Sequence, residues 1–257
     1  MEYLSVAEAR GRPGLKLVLT AGVPGPWGES AKAVLKVKGF DYLPVRQVLG
    51  EANEDLVEWT GHRNAPILVH DGELPRTGWL EILMLAERLK PEPALVPADL
   101  AERTAMLGAC HLICGERGLG WDRRLMMGRD MIPPGPAGEA DPPIIRLLRS
   151  YGYTPAEAEA APGRIATVLR YLAGLLHAQQ QKGRTYFFGD RLTAADLYWA
   201  CFSALIDPLP QDVNPMPDAV RGLYQPSDAV VVEAIDPILI AHRDMVYARH
   251  IGLPLDY

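Results

Sequence analysis

Residues 90–97 read KPEPALVP, and this stretch limits what the chain can fold into more than any other. Proline removes a backbone donor and holds the residue before it out of the helical region, so no regular element runs through such a segment. On its N-terminal side short apolar runs alternate with turn residues, and on its C-terminal side the pattern is almost wholly helical. A length of 257 residues suits two small domains, and the break supplies their boundary. The expected division is an extension at 1–14, an α/β domain at 15–90, a linker at 91–97 and an all-α domain at 98–257.

Within the first domain, residues 15–20 (LKLVLT) read as a buried strand, and residues 21–28 (AGVPGPWG) as a turn-rich loop. A helix is expected over 29–38, with Ala31, Val34 and Leu35 on one face, an acidic residue at its start and lysines near its end. Gly39 stops it, and residues 42–48 form a second strand, giving a βαβ unit. Residues 65–70 (APILVH), the Asp71-Gly72 turn and a helix from about 78 to 89 complete a ββα block. The predicted order is βαβ-ββα.

Beyond the linker, Ile165, Val168, Leu169, Leu172, Leu175 and Leu176 fall on one helical face. Residues 132–143 (IPPGPAGEADPP) cannot be regular and are expected to form a loop, residues 207–227 are interrupted by Pro208, Pro210, Pro215 and Pro217, and residues 234–252 again look helical. Thr193 is placed to cap a helix, with Asp196 able to bond back to the cap's amide and Leu192 and Leu197 as a hydrophobic staple.

Composition excludes several classes of function. The chain is 48% hydrophobic and 23% charged, enough for a core. Its net charge of −6, without any block of lysine and arginine, offers no footprint for nucleic acid or anionic lipid. No apolar run approaches the ~18 residues of a membrane span, and the opening MEYLSVAEARGRPG does not read as a secretion signal, so a cytoplasmic location is expected. Cys110, Cys114 and Cys201 are expected to be reduced. The first two lie four apart on an apolar helix with His111 between them, a spacing that suits core packing, and no metal site is expected.

Three segments resemble the glutathione S-transferase superfamily. Residues 188–196 (FGDRLTAAD) are similar to its C-terminal-domain signature GD-x-(L/F)-(T/S)-x-A-D. Asn64-Ala65-Pro66-Ile67, leading through Asp71-Gly72 to a helix near Thr77, looks like its cis-proline strand, hairpin and third helix. Pro26-Trp27-Gly28-Glu29-Ser30, before a helix ending at Lys38-Gly39, looks like the loop and first helix that carry its activating residue. The resemblance implies a thioredoxin-like N-terminal domain followed by a helical domain, a homodimer, glutathione as cosubstrate and an apolar electrophile as second substrate. Attack by the glutathione thiolate would be the chemistry.

Carried residue by residue, the resemblance implies that Ala65, ahead of a cis Pro66, binds the cysteinyl part of glutathione through its backbone. Arg76 and Thr77 fall where an acidic residue and a serine hold the γ-glutamyl end. Thr77 can cap the helix and offer its hydroxyl and amide, whereas Arg76 either meets a ligand carboxylate or turns to solvent. The position of the activating serine or cysteine falls on Gly28, and that of the tyrosine used by other classes near Ala21. Neither can activate a thiol. That leaves the amides around Gly28 and Glu29, with Ser30 as the nearest hydroxyl. Trp27 and Trp79 either wall the pocket or belong to the core. Trp121 and Arg124 either reach the electrophile or sit in a solvated charged turn with Asp122 and Arg123. Two functions follow: a transferase, or a non-catalytic or regulatory protein on the same fold that lacks thiol activation.

Overall fold

Strand β1 (Lys16–Thr20) is the axis of the first unit, with Leu17 and Val18 wholly out of solvent. It pairs in parallel with β2 (Leu43–Gln47), Val18 opposite Val45, and antiparallel with β3 (Ile67–Val69), Val18 opposite Ile67. The sheet order is therefore β2-β1-β3. A parallel neighbour needs a crossover, which the helix over Pro26–Val37 provides. The expected Asp71-Gly72 hairpin is present, with Gly72 at φ 78°. Its return strand is reduced to one bridge, in which Arg76 and Leu68 exchange N–H···O bonds of 2.9 and 2.8 Å. The chain is described by a computed structural model over residues 1–133, 135, 138, 141–226 and 228–257.

Residues 1–14 are not a loose extension. Ser5 and Glu8 form a reciprocal capping box on α1 (Val6–Arg10), and Leu4 bridges to Val45 beside β2. Val6 and Ala9 then enter the cluster formed by Val18, Val45, Leu56, Ile67 and Val69. The S-x-x-E pattern and the three-residue spacing of Val6 and Ala9 were the available signal. With α1 in place, the crossover helix Pro26–Val37 is α2, and a further helix, α3 (Glu54–Thr60), lies between β2 and β3, where none was expected. Its acidic first turn and Gly61 at φ 78° are ordinary helix-end signals, but Leu56 is its only buried apolar side chain, too little to make a periodicity. Helix α4 (Trp79–Leu89) closes the unit, and buried Lys38 ties the end of α2 to it through Glu87 at 2.6 Å and the Pro93 carbonyl at 2.8 Å.

The chain divides between Pro93 and Ala94, inside the expected linker, and the last three residues, Leu255–Tyr257, belong to the first unit rather than to the helical one. Lys32 of α2 donates to the Asp256 carbonyl, and the Met1 amine pairs with the Asp256 carboxylate.

The second unit consists of α5 (Leu100–Cys114), α6 (Leu119–Met131), α7 (Pro143–Ser150), α8 (Pro155–Gln180), α9 (Ala194–Phe202), α10 (Asp218–Tyr224), α11 (Ala229–Glu233) and α12 (Pro237–Val246), the last continuing into a π-helical turn. Every residue of α9 is buried, and the helix packs against α5 and α12. On α8 the expected apolar face is the buried one, with Ile165, Leu169 and Leu172 fully enclosed. Bidentate bonds of 2.9 and 2.7 Å from Arg164 to the Asp122 carboxylate join α8 to α6. Cys110, Cys114 and Cys201 are free thiols in this core, and burial pushes the first two thiols well above the usual cysteine range. Of the expected 132–143 loop, Pro134, Pro136, Ala137, Glu139 and Ala140 lie outside the described residues, and Pro143 already opens α7. Ser227, in the other proline-rich stretch, is outside them too. Among the described residues no helix is long and apolar enough to cross a membrane.

The cap expected at Thr193 is part of a larger arrangement. The Asp196 carboxylate, fully buried, accepts from the Thr193 N–H and hydroxyl at 2.8 Å each and from the Phe187 N–H at 2.9 Å. Nε2 of His242 on α12 stands 2.9 Å from its Oδ1, and the Phe187 ring meets the His242 ring edge-on at 4.7 Å. Removing one partner of a buried polar set strands the others. Asp196→Ala is therefore expected to destabilise the protein by about 3–5 kcal/mol. Urea denaturation would measure it, and a loss no larger than that of an isolated helix cap, about 1 kcal/mol, would contradict this account.

Candidate ligand-binding site

Helix α2 starts three residues before its expected start at 29, because Pro26 is pre-set for the first helical position. Trp27 and Gly28 therefore lie in its first turn rather than in the preceding loop. Its N-cap is Gly25, which has no side chain to bond the first-turn amides. Gly28 is the price of a close approach: a Cβ there would stand 3.1 Å from Leu19 Cδ2 on β1. Ser30 is only 2% exposed, and its hydroxyl donates to the Trp27 carbonyl at 2.9 Å, inside the helix. Trp27 and Trp79 are each half-buried.

The first turn of α2 also carries a buried carboxylate. Glu29 accepts from Lys32 Nζ at 2.9 and 3.0 Å, and burial raises its pKa against the pull of that ammonium. Burial, and then the Glu29 carboxylate, push the Tyr3 and Tyr42 phenols up to about 12. Both stay protonated at neutral pH.

Sheet topology brings the other expected residues of this unit to the same end. The Ala65–Pro66 peptide bond is cis, as expected, and lies at the head of β3. Since β3 runs antiparallel to β1, that head lies toward the end of β1 that leads into α2. After the Asp71-Gly72 turn the return segment runs antiparallel to β3, so Thr77, just past Arg76, comes back to the same end. Ala65 is half-exposed, and among the described residues its backbone N–H and C=O make no hydrogen bond.

Thr77 does not cap α4. Gly78 is the N-cap, and the Glu81 carboxylate accepts from the Gly78 N–H at 3.0 Å and the Thr77 N–H at 3.1 Å. The glutamate three residues past the cap does the work expected of the threonine. Arg76 neither faces a ligand alone nor swings free: it bonds the Glu73 carboxylate at 3.1 Å and the Leu74 carbonyl, while Glu73 also accepts from Arg88.

In the helical unit, Trp121 and Arg124 lie on the first two turns of α6, not in a solvated turn. Asp122 and Arg123 beside them are 1% and 3% exposed. The Trp121 indole N–H donates to the Tyr151 carbonyl at 2.9 Å, and the two rings meet edge-on at 4.6 Å. The Arg124 guanidinium stands 5.7 Å from the Tyr224 ring centre and 3.4 Å from Met127 Sδ. Tyr151 follows α7 and Tyr224 ends α10, and neither carries a sequence signal tying it to Arg124. Among the described residues no group of three His, Cys, Asp or Glu side chains is gathered that could hold a metal ion.

The Glu81 contact has a pH signature. The amides of Gly78 and then Thr77 hold its carboxyl below the ordinary glutamate range. Its contribution is thus present above the unfolded value of about 4.3 and fades as pH falls through the lower folded one. Glu81→Gln is expected to cost about 0.5–1 kcal/mol at pH 7 and almost nothing near pH 3. Urea denaturation of both proteins across that range would decide it, since a difference constant with pH would remove the charge from the explanation.

Comparison with known proteins places this geometry. No protein-family model matches the sequence, and no curated protein matches it. Solved structures do. A glutathione transferase family member from Pseudomonas fluorescens pf-5, with two glutathione bound, matches at TM-score 0.62 and 15% identity, over 95% of this chain and 94% of that one. A glutathione S-transferase domain-containing protein from Marinobacter aquaeolei VT8 matches at 0.61 and 17%, over 92% and 100%. Glutathione transferase Omega 3C from Trametes versicolor matches at 0.59 and 14%, over 96% and 90%. At such low identity what is shared is architecture: this chain has the glutathione transferase fold, a thioredoxin-like unit with a small mixed sheet followed by an all-helical unit.

Proposed function

We propose that the chain is a divergent, glutathione transferase-type ligand-binding protein that takes glutathione along the backbone of its first unit and does not activate the thiol with a side chain. The start of α2 carries this reading. A thiol with a reference pKa of about 8.5 stays mostly protonated at neutral pH unless a donor or a positive field favours the thiolate. Gly25 has no side chain, the Ser30 hydroxyl is spent on the Trp27 carbonyl, and Tyr3 and Tyr42 lie in the field of a carboxylate. The open N–H and C=O of Ala65 supply one antiparallel pair of bonds to the cysteinyl residue. At the γ-glutamyl end, Glu81 fills the amides of Gly78 and Thr77 and Glu73 neutralises Arg76, so a ligand carboxylate must compete there. Weak binding follows.

A second reading, that of a transferase acting on an apolar electrophile held by Trp121 and Arg124 of the helical unit, has one specific observation in its favour. No side chain caps α2, which leaves its first turn as the positive end of a helix dipole. The likeness to glutathione-bound structures supports glutathione as the ligand in both readings, and the homodimer that the sequence resemblance implies goes with both.

Calorimetric titration with glutathione, with thiolate absorbance followed in parallel, separates them. The expected result is binding in the millimolar range with an unshifted thiol pKa, unchanged in Ser30→Ala. Thiolate formation at neutral pH, or conjugation of an electrophile above the uncatalysed rate, would replace the binding reading with the transferase. The absence of any binding at millimolar glutathione would end both.

A further inference from the structure

We infer that Arg76 and Arg88, drawn together by Glu73, form a binding site for a phosphate group. The site lies at the turn end of the hairpin, the opposite end of β3 from Ala65, and is separate from the glutathione reading above.

Three basic side chains converge on one carboxylate. Arg88, from the last turn of α4, donates through Nη2 to both Glu73 oxygens at 2.6 Å. Arg76, from the return segment, donates through Nη2 to Glu73 Oε2 at 3.1 Å, and Nδ1 of His70, just past β3, stands 3.0 Å from Oε1. The bonds from Arg88 and then His70 hold the Glu73 carboxyl below the ordinary glutamate range, so it stays charged at neutral pH. Both guanidinium groups are permanently charged, and one carboxylate offsets only one of them. Neighbouring acids do not cancel the surplus. Asp71 is taken by Lys16 and by the Gly14 N–H at 2.6 Å, Glu87 by Lys38 at 2.6 Å, and Glu81 by the amides of Thr77 and Gly78.

Each arginine uses only part of its donor set. Among the described residues Arg88 bonds through Nη2 alone and Arg76 through Nη1 and Nη2, so Nε and Nη1 of Arg88 and Nε of Arg76 make no hydrogen bond. The two side chains are 57% and 28% exposed, so a solute reaches them. Bringing two like charges together costs energy, and Glu73 has offset that cost before any ligand arrives. A carboxylate ligand would repeat what Glu73 already supplies. A phosphate group differs in two respects: it carries a charge of about −1.5 to −2 at neutral pH, and its several oxygens accept from two separate guanidinium groups at once. Leu74, whose carbonyl accepts from Arg76, is 79% exposed and sets an apolar side chain next to Glu73 in the turn.

The test titrates inorganic phosphate, phenyl phosphate and acetate calorimetrically into the full chain at low ionic strength, without glutathione. The native protein is expected to bind phosphate about tenfold more tightly than acetate. Tighter binding of phenyl phosphate would assign the site to esters that reach Leu74, and equal binding to free phosphate as well; both support it. Arg88→Gln and Arg76→Gln should each weaken phosphate by about tenfold. Arg46→Gln removes the same charge from an exposed position on β2 and should leave the affinity unchanged. Circular dichroism checks the fold of each variant, and if one of the two arginine variants is unfolded the other decides. Phosphate bound no better than acetate, an affinity unchanged in Arg76→Gln and Arg88→Gln, or an equal loss in Arg46→Gln overturns the inference. Because glutathione is absent, a failed glutathione titration leaves this result standing, and the converse also holds.

Discussion

The helical unit closes around one charge. Asp196 lies in a helix with no exposed residue, where an unpaired carboxylate would be untenable. Its two oxygens collect the start of α9, the segment that enters it at Phe187, and α12 through His242. The apolar packing of α9 against α5 and α12 is non-directional and would tolerate other registers, whereas a carboxylate with four donors tolerates one. Depth of burial and number of donors are coupled here: the first is bearable only because of the second.

The first unit settles several of its charges in a different manner, between residues close in sequence. Glu29 meets Lys32, Glu73 meets Arg76, and Glu81 meets the amides three and four residues before it. Glu73 lies beside the Asp71-Gly72 turn, with His70 and Arg88, whereas Glu29 and Glu81 sit at the other end of the sheet, where β1 leads into α2 and the start of α4 lies. The polar groups of that end are therefore largely satisfied internally, and an incoming ligand exchanges bonds there more than it adds them. Ala65 is the exception: among the described residues its backbone N–H and C=O make no hydrogen bond.

Much of this architecture was readable from residue order, and the failures have physical causes. The break at 90–97, the cis Pro66, the hairpin at Asp71-Gly72 and the apolar face of α8 depend on local stereochemistry or on a clear period. Helix α3 was missed because one buried leucine makes no period. The start of α2 was misplaced because the two prolines and three glycines of residues 21–28 suggest a loop, although Pro26 at a first helical position is favourable. Thr77 was given a cap that Glu81 takes, a choice between two acceptable caps that only packing settles. Around Arg124 the charged run Asp122-Arg123-Arg124 suggested solvent, yet each finds a partner from a distant segment: Asp122 from α8, Arg123 from carbonyls near 205 and 224, Arg124 from the Tyr224 ring. Polarity says that a group needs partners and does not say where they come from.

The return of Leu255–Tyr257 to the first unit gives the chain an order of assembly. A ribosome delivers β1, the cis-proline segment and α4 early, but the Asp256 that engages Lys32 and the Met1 amine emerges only after all of the helical unit. The unit that begins first is thus completed last. A fragment cut at the boundary after Pro93 would hold the whole sheet and still lack a piece of its own surface.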